Sequence, residues 1–172
     1  YQSYEYMEIG SAEFEQMVQD TLDLIEFANG DESSEWGKVR AQLGHKAPFG
    51  LEYLGIGNEQ WQMDNTDFFA RYKIFEQRIH AKYPEIKLIG SAGPDVTSNH
   101  YTDAWEFYRK EKKNNPNFVY AIDEHYYMPP KWFLEHNDFY DNYPRDIKVF
   151  AGEYAAHDPE INIAHVSKNN WK

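Results

Sequence analysis

Two glutamates, Glu59 and Glu153, each come at the end of a short apolar run that predicts a buried strand. Two carboxyl groups that meet across a cleft can cleave a glycosidic bond, because one protonates the departing oxygen while the other attacks or stabilises the oxocarbenium-like carbon. In retaining enzymes the two groups stand about 5–5.5 Å apart, and at that distance their repulsion favours keeping the acid protonated near neutral pH. The alternative is a pair of solvated loop glutamates, which spacing alone does not exclude.

Apolar segments and helical patterns alternate along the chain. The predicted strands lie at 51–58, 86–92, 118–126 and 147–153. Three of the four predicted helices have a boundary at an N-cap residue, a glycine or a proline, and the remaining one has the basic cluster Arg109 to Lys113 near its C-terminal end, where the helix dipole favours cations. The helices are predicted from Ser11 to Gly30, from Asp67 to Pro84, around 101–108 and over 132–140, with a polar loop at 31–50.

The predicted strands are apolar throughout rather than alternating, which is typical of a parallel sheet covered by helices on both faces. The sequence therefore predicts an α/β fold, either a doubly wound sheet or part of a (β/α)8 barrel. In both, chemistry takes place at the C-terminal ends of the strands. Polar groups follow three of the four strands, at Asn58-Glu59, Asp123 to Tyr127, and Glu153-Tyr154. These strands are predicted to end where a cleft begins.

The composition excludes several classes of function. The chain has 172 residues, 17 basic and 29 acidic, and its net charge of −12 argues against a nucleic-acid or anionic-membrane partner. It has no cysteine for a disulfide or a thiolate metal site, no apolar run long enough to span a membrane, and no glycine-rich phosphate loop after any strand. Aromatic residues make up 17%, which fits either sugar-binding platforms or a tyrosine-rich core.

Several motifs together carry a family resemblance. They are "EFANG", "WGKVRAQLGHKAPFGLEYLGIGNE", "IDEHYYMPPKWF" and "GEYAAH". In combination they resemble the α-L-arabinofuranosidases of glycoside hydrolase family 51, which belong to a clan of retaining enzymes with catalytic glutamates after barrel strands 4 and 7. The resemblance implies that the four predicted strands are strands 4 to 7 of a (β/α)8, or TIM, barrel.

The resemblance also implies roles for individual residues. Glu59 would be the general acid/base, and Glu153 the nucleophile that forms a covalent arabinosyl-enzyme. Asn58 would hydrogen-bond the 2-hydroxyl of the sugar. One tyrosine after the third strand would hydrogen-bond the nucleophile. Because Tyr127 shares a face of the strand with His125, it is the first choice for this contact, and Tyr126 is the reserve.

The remaining site residues have open alternatives. His125 is expected to line the cleft rather than to be only a packed histidine, whereas Trp61 could line the sugar site or pack beneath the following helix. Glu124, His125, Glu135 and His136 match no known ligand spacing, so no metal and no cofactor are predicted.

A full (β/α)8 barrel takes about 250 residues, so the 172-residue chain is expected to be a single fragment of a catalytic barrel. The isolated fragment is expected to be inactive and, through its exposed sheet edges, to self-associate. The predicted partner is an arabinose-containing glycan, with neither nucleic acid nor membrane. Two alternatives stay open: a xylanase, xylosidase or glucanase of the same clan, and a non-catalytic carbohydrate-binding protein.

Overall fold

The computed structural model describes residues 7–62 and 66–156, in which helices alternate with the strands of a four-stranded sheet. The sheet has the order β1-β2-β3-β4, and both β2 with β3 and β3 with β4 pair in parallel. The predicted α/β class with a parallel sheet is therefore confirmed. The elements are α1 (Ala12–Asn29), α2 (Glu35–Gln42), β1 (Tyr53–Ile56), α3 (Phe68–Lys82), β2 (Lys87–Ser91), α4 (Asn99–Lys112), β3 (Ala121–Met128), α5 (Pro130–Glu135) and β4 (Lys148–Ala156).

The described residues divide into two units, and α1 organises the first, which comprises residues 7–54 and 66–88. Ser11 begins α1 as predicted, because its hydroxyl accepts the backbone N–H of Phe14 at 3.1 Å. The helix packs against α2 and α3, and the ring of Phe14 meets that of Phe75 edge-on, 5.9 Å between centroids. Although α1 has 18 residues, neither it nor another helix in the described ranges is long and apolar enough to cross a membrane.

The prediction of a polar loop at 31–50 is wrong in part, because α2 lies within this segment. Ser34 caps the helix by accepting the N–H of Gly37 at 3.1 Å. The helix owes its place to Arg40, a fully buried guanidinium that donates to the carbonyls of Phe27, His45 and Lys46 at 2.8–3.1 Å. A buried cation is stable only when such partners surround it; Phe27 lies on α1, and the other two residues lie in the loop directly after α2. Because its buried side chain is charged, α2 lacks the apolar period by which a helix is recognised from sequence.

The capping of α3 and the extent of α5 also differ from the prediction. Asp67 precedes α3 as expected, but it has a left-handed backbone (φ 47°) and its side chain makes no capping hydrogen bond. The short helix α5 begins at Pro130 and ends at Glu135 instead of extending through 132–140. The chain beyond α5 runs through successive turns, with Asp141 N–H donating to the carbonyl of Asp138. The aromatic residues that follow α5 therefore lie in these turns and not in a longer helix.

The second unit, residues 55–62 with 89–156, contains the C-terminal part of the sheet. The side chain of Tyr108 on α4 lies directly over Gly90, where a Cβ would overlap its ring, and its hydroxyl donates to the carbonyl of Ser91 at 3.1 Å. Of the four described strands, β2 and β3 are largely buried; β1 and β4 are outer strands, and every residue of β4 is half-buried or exposed. Coverage of every strand on both faces, which the apolar runs predict, is thus not observed.

Candidate active site

The turn after β1 carries Glu59 in an uncommon backbone conformation. Gly57 leaves the strand with φ 87°, and Glu59 itself lies in the left-handed region with φ 56°. A non-glycine residue seldom adopts such a conformation unless its surroundings maintain it. The turn is held at the end of β2, where Ser91 Oγ donates to the carbonyl of Gln60 at 3.1 Å. This anchoring directs the Glu59 side chain towards β3.

His125 on β3 lies at the centre of a group of carboxylates. Its ring is only 1% exposed. Nδ1 lies 3.0 Å from Glu59 Oε1 and 3.8 Å from Glu153 Oε2, while Nε2 lies 3.2 Å from Asp123 Oδ2. Burial by itself would lower the pKa of His125, but the hydrogen bond to Glu59 and the charges of Asp123 and Glu153 outweigh it and raise that pKa above its ordinary value. The cluster therefore favours a protonated imidazole.

Glu153 on β4 completes this cluster together with Tyr127 from β3. The Tyr127 hydroxyl donates to Glu153 Oε2 at 2.6 Å, and this hydrogen bond raises the pKa of Tyr127. One ligand atom from each of Glu59, His125 and Glu153 lies within 4.8 Å of the others. Two carboxylates far apart along the chain thus meet at the C-terminal edge of the sheet. Such a pair can serve as acid and nucleophile on either side of one reacting carbon.

Three of the residues named from the sequence lie outside this cluster. Asn58 is exposed beside Glu59, and its backbone N–H donates to Gln60 Oε1. Trp61 is half-buried and stacks on His100 with 5.2 Å between ring centroids. The reserve prediction that Tyr126 contacts Glu153 is wrong, because the Tyr126 side chain is buried and donates to Glu124. Because side chains alternate along a strand, Tyr126 leaves β3 on the face opposite Tyr127.

Asp123 is the site residue that the sequence reasoning passed over. It lies two residues before His125 and four before Tyr127, so the same alternation that grouped those two would have included it. One of its oxygens faces His125, and the other accepts the backbone N–H of Gly152 at 3.0 Å. Asp123 therefore contacts both β4 and the histidine between the glutamates.

Comparison with known proteins identifies the family. The family model described as the alpha-L-arabinofuranosidase 1 domain matches residues 3–145, which include Glu59 and His125. The chain belongs to the α-L-arabinofuranosidase family. The resemblance found in the sequence is thereby confirmed.

Relatives of this arabinofuranosidase-family chain agree with that assignment. It is 49% identical over 140 residues to an extracellular exo-α-L-arabinofuranosidase of Streptomyces chartreusis, covering 81% of this chain and 16% of the relative. It is 38% identical over 129 residues to α-L-arabinofuranosidase 1 of Arabidopsis thaliana, covering 74% of this chain and 19% of the relative. The chain thus spans less than a fifth of the length of these two relatives.

Solved structures of arabinofuranosidases share the fold. An arabinose-bound GH51 α-L-arabinofuranosidase is 27% identical with a TM-score of 0.63, covering 92% of this chain and 23% of that one. An α-L-arabinofuranosidase from Thermotoga maritima has a TM-score of 0.56 at 16% identity, covering 84% of this chain and 33% of that one. The similarity to the second structure concerns the fold alone.

A cation site is geometrically conceivable in this family member, since Glu59, His125 and Glu153 each offer one donor atom to a common position. The hydrogen bonds of the cluster already use these atoms, and both ring nitrogens of His125 face carboxylates. The prediction of no metal therefore stays in place as a prediction. Its test is unchanged activity after treatment with a chelator.

The face of β3 opposite the carboxylate cluster carries a second buried group in this arabinofuranosidase-family chain. Glu124 is completely buried and accepts the indole N–H of Trp105 at 2.8 Å. The hydroxyls of Tyr126 and Tyr143 also donate to its oxygens. Burial raises the pKa of Glu124 despite these hydrogen bonds, which act in the opposite direction. Glu124 thus ties α4 and the turns after α5 to the strand that carries the site.

Glu124 should make the stability of the protein depend on pH. Because its pKa is raised in the folded state, its contribution is fully present below the ordinary glutamate range and is lost as the pH rises through the raised value. Glu124→Gln should flatten this part of the pH dependence of the unfolding midpoint.

Glu124→Ala should lower the free energy of unfolding by about 3 kcal/mol, since the buried donors lose their acceptor. Equal pH dependence in Glu124→Gln and the unchanged protein would contradict this account.

Proposed function

We propose that the full-length protein carrying this chain is a retaining glycoside hydrolase that releases terminal α-L-arabinofuranosyl residues from arabinose-containing polysaccharides or oligosaccharides. The observation that supports the proposal most is the meeting of Glu59 and Glu153, whose oxygens lie within 4.8 Å of each other. This separation suits direct attack by one carboxylate, because an inverting enzyme needs about 6.5–9.5 Å to leave room for a water. The names of the relatives supply the sugar.

In the first step, Glu59 donates its proton to the glycosidic oxygen while a carboxylate oxygen of Glu153 attacks the anomeric carbon. The bond to the leaving group breaks, and an arabinosyl ester of Glu153 forms. In the second step, the ionised Glu59 takes a proton from water as that water attacks the same carbon. Arabinose departs, and both glutamates return to their starting states.

The other proposed site residues act around this pair. Tyr127 holds Glu153 Oε2 through its hydroxyl and so orients the attacking oxygen. Asn58 adjoins Glu59 and is proposed to bind the 2-hydroxyl of the sugar, a contact that strengthens in the transition state. Trp61 is proposed to offer its ring as an edge of the sugar site, steadied by the stack on His100.

The proposed architecture is a segment of a (β/α)8 barrel in which β1 to β4 are barrel strands 4 to 7. The parallel order and the position of the cluster at the C-terminal ends of the strands support it. In a closed barrel the outer strands β1 and β4 would pair with further strands. For the isolated 172-residue chain we propose self-association through these edges and no turnover by itself.

The decisive experiment is an assay of the full-length protein on 4-nitrophenyl α-L-arabinofuranoside beside 4-nitrophenyl β-D-xyloside. We expect turnover of the arabinofuranoside to be at least about 100-fold faster, since a misfitting sugar loses several transition-state contacts. Proton NMR of the first product should show the anomeric configuration of the substrate. Faster hydrolysis of the xyloside, or an inverted product, would refute the proposed substrate or the proposed mechanism.

A further inference from the structure

Asp123 contacts neither the proposed acid/base nor the proposed nucleophile. It contacts two residues beside them, His125 and Gly152. Its carboxylate is partly buried and uses its two oxygens for different partners. Oδ1 accepts the N–H of Gly152, one residue before Glu153, at 3.0 Å. Oδ2 lies 3.2 Å from Nε2 of His125. The other ring nitrogen of His125, Nδ1, contacts Glu59. One carboxylate thus contacts the elements that orient both glutamates.

The contact with Gly152 occurs at an irregularity of the sheet. Asp123 pairs with Phe150, whereas His125 pairs with Glu153, so β4 carries one more residue than β3 across this interval. The extra residue is a β-bulge, which redirects the side chains that follow it. Without it, Gly152 would lie opposite His125, and Glu153 would point to the other face of the sheet.

The absence of a side chain at residue 152 fits this arrangement. A Cβ built on Gly152 would overlap Asp123 Oδ1 and touch the ring of Phe150. Glycine therefore allows the carboxylate to approach the bulge closely enough to accept its backbone N–H. The bulge that orients Glu153 is held from the side by Asp123.

The contact with His125 determines which ring nitrogen carries a proton. A carboxylate can only accept a hydrogen bond, so the nitrogen that faces Asp123, Nε2, must donate. Nδ1 is then left to exchange a proton with Glu59, either accepting it from the carboxylic acid or donating it to the carboxylate. Asp123 thus holds the ring in the orientation and tautomer in which Glu59 and His125 share a proton.

We propose, building on the hydrolase function proposed above, that Asp123 is a positioning residue that couples the two catalytic glutamates. Through the bulge it orients Glu153, and through His125 it keeps Glu59 supplied with the proton that the leaving group needs. It does not touch the substrate.

The pH dependence follows from the charges that face His125. These are Asp123 on β3, Glu59 on the turn after β1 and Glu153 on β4. The negative charge of Asp123 favours the protonated ring and so helps to retain the proton shared with Glu59. Removal of that charge should release the shared proton at a lower pH. The alkaline limb of the rate profile should therefore move towards lower pH.

The test is Asp123→Asn in the full-length protein, because asparagine keeps the size and can still accept the N–H of Gly152. Its amide donates to Nε2 and so reverses the tautomer of His125. We expect kcat on 4-nitrophenyl α-L-arabinofuranoside to fall about 100-fold with KM nearly unchanged. The alkaline limb should shift down by roughly one pH unit. Asp103→Asn, the same change on the exposed side of α4, is the matched control and should alter neither quantity.

Further variants separate a failure of the proposed role of Asp123 from a failure of the proposed hydrolase function. Gly152→Ala displaces the Asp123 carboxylate without changing its charge, and it replaces Asp123→Asn if that variant unfolds below the assay temperature. Since both changes act on one contact, the double variant should be little slower than the slower single variant. Wild-type kcat and pH profile in Asp123→Asn, with an inactive Glu153→Ala, would overturn the role of Asp123 alone. Full activity in Glu153→Ala would instead exclude Glu153 as nucleophile, and no turnover of the arabinofuranoside by the unchanged full-length protein would overturn the hydrolase function.

Discussion

Glu153→Ala in the full-length protein should lower kcat on 4-nitrophenyl α-L-arabinofuranoside by about 10⁴-fold or more, because a methyl group cannot form the covalent intermediate. The fold should persist because Glu153 is partly exposed. Of its two partners, Tyr127 is exposed and can hydrogen-bond water, and His125 still contacts Asp123. Steady-state kinetics and a thermal unfolding curve would measure the two effects.

An added small anion distinguishes loss of a nucleophile from general damage. In Glu153→Ala, azide can occupy the space of the lost carboxylate and attack the anomeric carbon directly. The product should be an arabinosyl azide of inverted configuration, observable by NMR. Glu85→Ala, which removes an exposed glutamate from the turn before β2, is the control and should keep full activity. A Glu153→Ala protein as active as this control would exclude Glu153 as nucleophile.

Glu59→Gln should have an effect that depends on the leaving group. A general acid contributes about 10²- to 10⁴-fold to a reaction that needs its proton. We therefore expect a loss near the upper end of that range for arabino-oligosaccharides, whose alcohols leave poorly without protonation. A 2,4-dinitrophenyl arabinofuranoside, whose phenolate leaves unaided, should form the arabinosyl-enzyme almost normally. Rapid-mixing measurements of the phenolate burst would show this.

The second half-reaction supplies the contrasting result. Without a base to activate water, the arabinosyl-enzyme of Glu59→Gln should accumulate, and its mass should be detectable on the intact protein. Azide should accelerate turnover and give an arabinosyl azide of retained configuration, since a charged nucleophile requires no base. Equal losses for poor and good leaving groups would indicate that Glu59 binds the sugar rather than transfers protons.

Residues on β3 show which side-chain contacts the alternation of a strand can predict and which it cannot. Alternation groups His125 with Tyr127 on one face, and in the structure the Tyr127 hydroxyl donates to Glu153. The same alternation separates Tyr126, which binds Glu124 on the opposite face. Asp123 shares the parity of His125, but its significance depends on Gly152, a residue of a different strand. A pattern within one strand cannot reveal what lies across from it.

The bulge in β4 is the clearest limit on prediction from sequence. The run "IKVFAGEYA" predicts a strand, but not that an extra residue before Glu153 changes the face on which the glutamate emerges. The helix α2 presents the same difficulty, because the buried charge of Arg40 is stabilised by carbonyls from α1 and the loop that follows α2. In both cases the deciding interactions join different elements of the structure: α2 with α1 and the following loop, and β4 with β3.

Local physical chemistry was enough to determine the order of the elements apart from α2, since caps, apolar runs and prolines act on their immediate neighbours. It also placed Glu59 directly after a strand and Glu153 in the last part of one, although β4 continues past Glu153 to Ala156, and the motifs around them identified the family. Only the tertiary structure decided that Glu59, His125 and Glu153 meet, that Asp123 joins them, and that Glu124 lies buried behind them. Such contacts depend on strand register and burial, which arise when the chain packs and have no counterpart in a short stretch of sequence.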